Sequence, residues 1–282
     1  MAVPTPRSRW PFDTIQGATS QFVSIEGEGI GVESHGEHDF VYHQATPVTD
    51  DGTSSVVFEE GTGMNTGGVG SLVPDVEGFN DGRVVENTEG TLQAVTSPKM
   101  EGDGAIEFQS APDGGTEFNY VDVAERSYDT QFGFTFAAWG YLRSDTDIRN
   151  LMEVTPGEGF YLETDGGSGG VMRLDTSIKD DQGDDYGPFA TASFSLNTYV
   201  HWIGTYEPPT TWRLYKNGIR AGETTDGLNL YEEAGSLNFY IGADSDPPDV
   251  TRQNWDGFID DPAVWEEYLT DSEASEWYNQ YF

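Results

Sequence analysis

Three features of this sequence predict an all-β chain of antiparallel strands. Its 282 residues include 35 glycines and 14 prolines, a composition suited to many short strands joined by tight turns. The stretch Tyr199–Gly222 alternates with a period of two and turns back on itself at Asn217-Gly218. The run Phe132–Leu142 is apolar on both faces, as a strand covered from two sides must be. This length can hold one such domain with room for a sizeable insertion. An aromatic content of 13% supplies a real core in spite of the charge.

The elements follow in order. Residues 1–9 read as an arm or contact segment, and Trp10–Ile15 as a first strand. Within 16–76, Gln21–Glu26, Phe40–Tyr42 and Ser54–Glu59 alternate as short strands, and 61–71 is a glycine-rich loop. Asn80–Gln93 reads as a polar loop. Polar turns at Asp165–Gly170 and Lys179–Gly187 flank a strand over Val171–Thr176. In the hairpin, Val200, Trp202, Gly204 and Tyr206 share one face, with His201, Ile203 and Thr205 on the other. Pro208-Pro209 ends that strand, Trp212–Lys216 forms the next, and Ile219–Glu223 returns. Thr270 with Glu273 three residues later is a capping box, which starts a short helix through about Trp277.

These segments resemble a known family. GTYEPPTTWRLYKNGIRAG is similar to the central hairpin of laminin-G-like domains of the concanavalin A-type jelly roll. GFTFAAWGYL (133–142), LNFYIGAD (237–244) and GFIDDPAVWEEYLTDSE (257–273) follow in the family's order. WPFD (10–13) resembles its opening strand, and GAIEF with YVDV its second pair. The resemblance, which covers Gly104–Phe282 and, before it, Trp10–Asp13, implies an antiparallel β-sandwich jelly roll over 10–282. The segment 16–76 has no counterpart and reads as an inserted β extension or a small separate lobe.

The formal charge of −37 comes from 50 acidic residues against 13 lysines and arginines. Such a surface repels itself in dilute buffer. At about 1 M salt the screening length falls to roughly 3 Å and the repulsion largely vanishes. Work in concentrated salt is therefore expected, in an extreme halophile or its virus; an acidic solubility tag or a calcium-rich protein is the alternative. Nucleic acid and anionic membranes, which need a basic surface, are poor partners for it, and neither nucleic-acid binding nor membrane insertion is expected. Without cysteine there is no disulfide framework, and no apolar run approaches the roughly 20 residues of a membrane helix. MAVPTPRSRWPFD has no apolar signal region and no twin-arginine pair. Laminin-G-like modules usually act outside cells, so the expected route is assembly in the host cytoplasm and release within a virion.

Candidate sites divide by chemistry. In the last strand, Asp260 shares a face with Phe258 and Val264 under simple alternation, and a buried carboxylate needs a partner or a metal. The resemblance implies calcium there, with Asp260, Asp13 and Asp81 as ligands; the alternative is an Asp bonded to backbone amides in a turn. Pro262 implies a bulge or an edge. Glu101, Asp103 and Glu107 invite comparison with the paired carboxylates of glucanases on this fold, but Gly102 and Gly104 and the long last spacing favour a turn leading into a strand. No catalytic residue is assigned. His35, His38 and His43 lack a zinc-ligand spacing and read as a solvated loop; the resemblance implies a structural role for His201. Tyr206 and Trp212, flanking the Pro-Pro loop, are the expected exposed rings for stacking on a glycan.

The expected function is that of a non-enzymatic surface protein of a haloarchaeal virus. It would be a homo-oligomeric turret, spike or tail-fibre subunit that contacts other virion proteins and displays a lectin-like domain toward a host glycan. The alternatives are a polysaccharide hydrolase or lyase on the same fold and a cellular adhesion module.

Overall fold

The computed structural model describes residues 3–4, 8–9, 22–25, 32–35, 38–41, 54–57, 72–73, 82–86, 93–96, 104–108, 119–126, 131–155, 160–167, 169–176, 189–225, 227, 229, 237–243 and 253–280. Its strands, in chain order, begin with β1 (Ser8–Arg9), β2 (Phe22–Ile25), β3 (Val32–His35), β4 (His38–Val41), β5 (Ser54–Val57), β6 (Leu72–Val73) and β7 (Gly82–Glu86). They continue with β8 (Gln93–Thr96), β9 (Gly104–Phe108), β10 (Asn119–Arg126), β11 (Phe134–Leu142), β12 (Asn150–Thr155), β13 (Phe160–Thr164) and β14 (Val171–Thr176). The last six are β15 (Ala190–Ser193), β16 (Tyr199–Glu207), β17 (Thr211–Lys216), β18 (Ile219–Thr224), β19 (Leu237–Ile241) and β20 (Gly257–Trp265), followed by helix α1 (Asp271–Asn279).

Two eight-stranded antiparallel sheets form a β-sandwich jelly roll. The first runs β18-β17-β16-β11-β20-β9-β8, with β1 paired to β20; the second runs β15-β14-β13-β12-β19-β10-β7-β6. Between them lies a core that draws Phe134, Phe136, Val200, Trp202, Tyr206, Trp212 and Ile259 from the first sheet and Phe160, Leu162, Met172, Leu174, Phe239 and Ile241 from the second. β11 is central and buried along nearly its whole length, because α1 covers much of its other face. The expected hairpin is present: Asn217 and Gly218 have φ of 51° and 71°, the turn that matches strand twist. The helix starts at the expected box, with Thr270 N donating to Glu273 Oε2 at 2.9 Å.

Several expectations are corrected. His35 and His38 are the closing pair of the β3–β4 hairpin rather than loop residues, and His43 lies outside the described residues. The segment expected as a loop at 80–93 contains β7, which pairs with β10 in the second sheet. Within 16–76, β2 pairs with β5, while β6 joins β7. The described part of the 1–9 segment is in contact with the sandwich: β1 pairs with β20, Val3 packs against Trp265 and its neighbours, and Trp265 Nε1 donates to the Pro4 carbonyl at 2.9 Å.

β20 carries the expected irregularity. Ala137 pairs with Ala263 and Trp139 with Asp260, so Asp261 and Pro262 together stand opposite Ala138. Asp261 takes a φ of +47°, a left-handed value that aspartate adopts more readily than most residues. The extra residue changes the parity of the strand. Ile259 and Val264 both enter the inter-sheet core, while Ala263 and Trp265 meet the helix. Asp260 therefore does not share a face with Val264, and the simple alternation read from the sequence fails at the bulge.

Candidate functional site: an aromatic row on the first sheet

The outer face of the first sheet is organised in rows across its strands. Near the helix, Ala137, Ile203, Tyr215, Ala263, Trp265, Leu269, Ala274 and Trp277 form a second apolar cluster. The next row is His201–Trp139–Asp260, with Trp139 paired to both neighbours. The His201 ring packs edge-on to Trp139 at 4.9 Å, and Tyr278 of α1 closes over both, at 5.7 Å from Trp139 and 5.9 Å from His201. All three residues of that row are at most 1% exposed.

One row further out, helical cover ends. There Tyr199, Tyr141, Phe258 and Glu107 stand side by side on β16, β11, β20 and β9. All four are partly exposed. The Tyr141 and Tyr199 rings lie 5.1 Å apart, Tyr141 and Phe258 5.3 Å, and Tyr199 and Phe258 stack at 6.3 Å. Arg143 caps the row, its guanidinium 4.7 Å from the Phe258 ring centre. The same guanidinium bonds Glu107 through Nη2 and reaches Asp256 Oδ1 at 3.5 Å through Nη1. At the other rim the Tyr141 hydroxyl lies 3.4 Å from Asn197 Oδ1.

The row is held from below. The Trp255 ring is buried in the core, and its indole N–H is shared between the carbonyls of Tyr141 (3.1 Å) and Phe258 (3.2 Å). Gly257 meets the Tyr141 carbonyl so closely that a Cβ would sit 1.9 Å from it, at a φ of +154° open to glycine alone among common residues. These contacts set two of the three rings relative to one another. An array of aromatic faces, flanked by hydrogen-bonding carboxylates and a guanidinium, can stack on the C–H face of a sugar while bonding its hydroxyls.

Tyr206 and Trp212, expected as exposed rings, are both 0% exposed. They pair across β16 and β17 on the inter-sheet side. Trp212 stacks on Phe160 at 4.7 Å and Phe189 at 5.0 Å, and the Tyr206 hydroxyl donates to Asn229 at 2.6 Å. The expectation placed both rings at a sandwich edge beside the Pro-Pro loop, whereas they face the second sheet and Gly227 folds back over the indole. Neither ring can stack on a ligand.

Asp260 is buried as expected, at 1% exposure, but it stands opposite Trp139 in the covered row. Asp13 and Asp81 lie outside the described residues, as do Glu101 and Asp103. Among the described residues no three acidic or histidine side chains converge as a metal-binding group, and Asp260 stands beside the Trp139–His201 ring pair. Glu107 is engaged by Arg143. His201 is 0% exposed, and burial pushes its imidazole down to about 3, so it stays neutral.

The second sheet carries its own polar row. Glu153, Tyr161, Glu163 and Asp175 are all buried, with Arg173 bonded to Glu163 at 2.5 Å and to Asp175 at 3.2 Å.

A laminin-G-type family model, described as the concanavalin A-like lectin/glucanases superfamily, matches residues 113–275, more than half of the chain. The chain belongs to this superfamily. Comparison with curated proteins gives no match. Among solved structures, this superfamily member is similar to domain 4 of AbnA, a GH43 extracellular arabinanase from Geobacillus stearothermophilus, in complex with arabinotriose. The TM-score is 0.54 at 15% identity, covering 74% of this chain and 98% of that one. It is also similar to the binding domain of botulinum neurotoxin DC in complex with SialylT, at a TM-score of 0.50 and 14% identity over 78% of this chain and 52% of that one. A botulinum neurotoxin type C structure, from work tying its cell entry to two ganglioside molecules, gives 0.50 and 13% over the same shares. The chain thus spans about half the length of the neurotoxin chains, and at these identities the likeness is one of fold.

Proposed function

We propose that this protein is a glycan-recognition module without catalytic activity, displayed on the surface of a virus of a halophile as a homo-oligomeric turret, spike or tail-fibre subunit. The observation that carries the glycan reading is the row Tyr199–Tyr141–Phe258, three partly exposed rings standing next to the buried His201–Trp139–Asp260 row that Tyr278 of α1 covers. Superfamily membership supports it, as do the saccharide named with the AbnA domain and the gangliosides named with the neurotoxin. The acidic composition supports operation in concentrated salt. The virion assignment joins that salt preference to a recognition fold, with 1–9 and 16–76 as the segments expected to contact partner copies and other virion proteins.

A glycan array run in molar salt tests the recognition part. Binding by the wild type that falls roughly three- to tenfold in Tyr199→Ala, the range expected for one stacked ring, supports it. Binding unchanged in both Tyr199→Ala and Tyr141→Ala overturns it. Mass spectrometry of purified virions and of host envelopes tests the location: the chain in the envelope fraction alone would make it a cellular adhesion module.

A further inference from the structure

The chemistry around the row narrows what it accepts, given the glycan reading proposed above. We infer that the Tyr199–Tyr141–Phe258 row takes an uncharged saccharide and turns away uronic, sialic and sulfated ones.

Among the described residues, Arg143 is the cation laid on the row. A free guanidinium would be the natural receptor for a sugar carboxylate or sulfate, because its planar fork matches two acceptor oxygens. Here Nη2 is paired with Glu107 and Nη1 stands 3.5 Å from Asp256 Oδ1, while the guanidinium carbon lies over the Phe258 ring. One guanidinium against two carboxylates leaves this rim with a formal charge of −1. An anionic sugar would have to break a charge-assisted pair and then sit beside the carboxylate it released. A hydroxyl needs neither: Glu107 and Asp256 can accept from it, and the Asn197 side chain at the opposite rim offers both a donor and an acceptor.

Salt does not remove this selection. Molar ions screen the −37 field over distances beyond about 3 Å, but they leave direct contacts such as Arg143–Glu107 largely in place. Rejection of acidic sugars is therefore expected to persist in brine. The row crosses three adjacent strands, about 10 Å at 4.7–4.9 Å each, enough for roughly two pyranose rings end to end. Tyr278 and the covered His201–Trp139 row bound it on one side, and the Arg143 rim on the other.

Titration calorimetry in about 3 M salt tests the inference, with arabinotriose, mannotriose and chitotriose as neutral probes and trigalacturonate and sialyllactose as acidic ones. The expected result is binding of at least one neutral probe, lost on Tyr199→Ala, with the acidic probes at least tenfold weaker. Glu107→Gln, which frees one arm of Arg143, should shrink that gap several-fold while the melting temperature confirms folding. Acidic probes that bind as tightly as neutral ones, and lose binding in Arg143→Gln, would overturn the inference and leave the glycan reading standing. A panel in which no probe binds, neutral or acidic, overturns both.

Discussion

His201 shows how much one buried side chain can say. Free histidine titrates near 6.5, whereas here burial holds the ring neutral down to about 3. Between those values the unfolded chain takes up a proton that the folded chain refuses. Stability from this group is therefore complete above about pH 6.5 and falls as pH drops, by roughly 1.4 kcal/mol per unit until about pH 3. Replacing His201 by Phe removes that slope. Denaturant melts of both proteins at pH 7, 5.5 and 4.5 should diverge on acidification, the wild type losing more; parallel losses would contradict the assignment. Trp255 is the second telling residue, since one N–H serves two carbonyls that set the aromatic row. Trp255→Phe leaves both carbonyls without that donor. A cost of about 1–3 kcal/mol is expected, together with weaker saccharide binding even where Tyr199 and Tyr141 are intact. The sequence revealed the rings but not their exposure. The alternation that puts Tyr141 and Tyr199 opposite the core-facing Phe136 and Trp202 was legible, but not which side would be the core. What picked them out was where the helix stops, a tertiary fact that also hid the burial of Tyr206 and Trp212.

At the scale of elements, β20 and α1 divide the outer face between them. The bulge at Asp261-Pro262 lets Phe258 and Asp260 face outward at one end of β20 and Ala263 and Trp265 at the other, while Ile259 and Val264 fill the core. Pro262 announced an irregularity in the sequence, but not which residues would change sides. The helix was fully legible, because the Thr270–Glu273 box is a local signal that needs no tertiary context. It is also tied down by Tyr215, whose hydroxyl donates to Asp271 at 2.9 Å. Burial, and then that bond, push the Tyr215 phenol up, so it remains a donor throughout the working range. Thr270→Ala should cost about 1 kcal/mol and lower the melting temperature by about 2–4 °C. An unchanged melting point would show that packing of Trp277 and Ala274 alone holds the helix.

For the whole molecule the charge decides the working conditions. With −37 formal charges on 282 residues, like-charge repulsion opposes the compact state at low ionic strength. The screening length shrinks from about 10 Å at 0.1 M to roughly 3 Å at 1 M. A melting temperature that climbs steeply over that range and then flattens is expected, and a flat or falling curve would argue against a halophilic setting. The jelly roll itself was readable from the strand order of Gly104–Trp265, because alternation and turn chemistry are local. The strand in 80–93 was not, since its stretch mixes turn residues with a short apolar pair and only the pairing with β10 makes it a strand.

A crystal structure of a bound neutral trisaccharide tests most directly whether the partly exposed aromatic row is where this protein meets a sugar. The account predicts a pyranose or furanose ring lying over Tyr199 and Tyr141 with hydroxyls directed at Glu107 and Asp256. A saccharide found instead on the second sheet, beside Glu153 and Glu163, would contradict it.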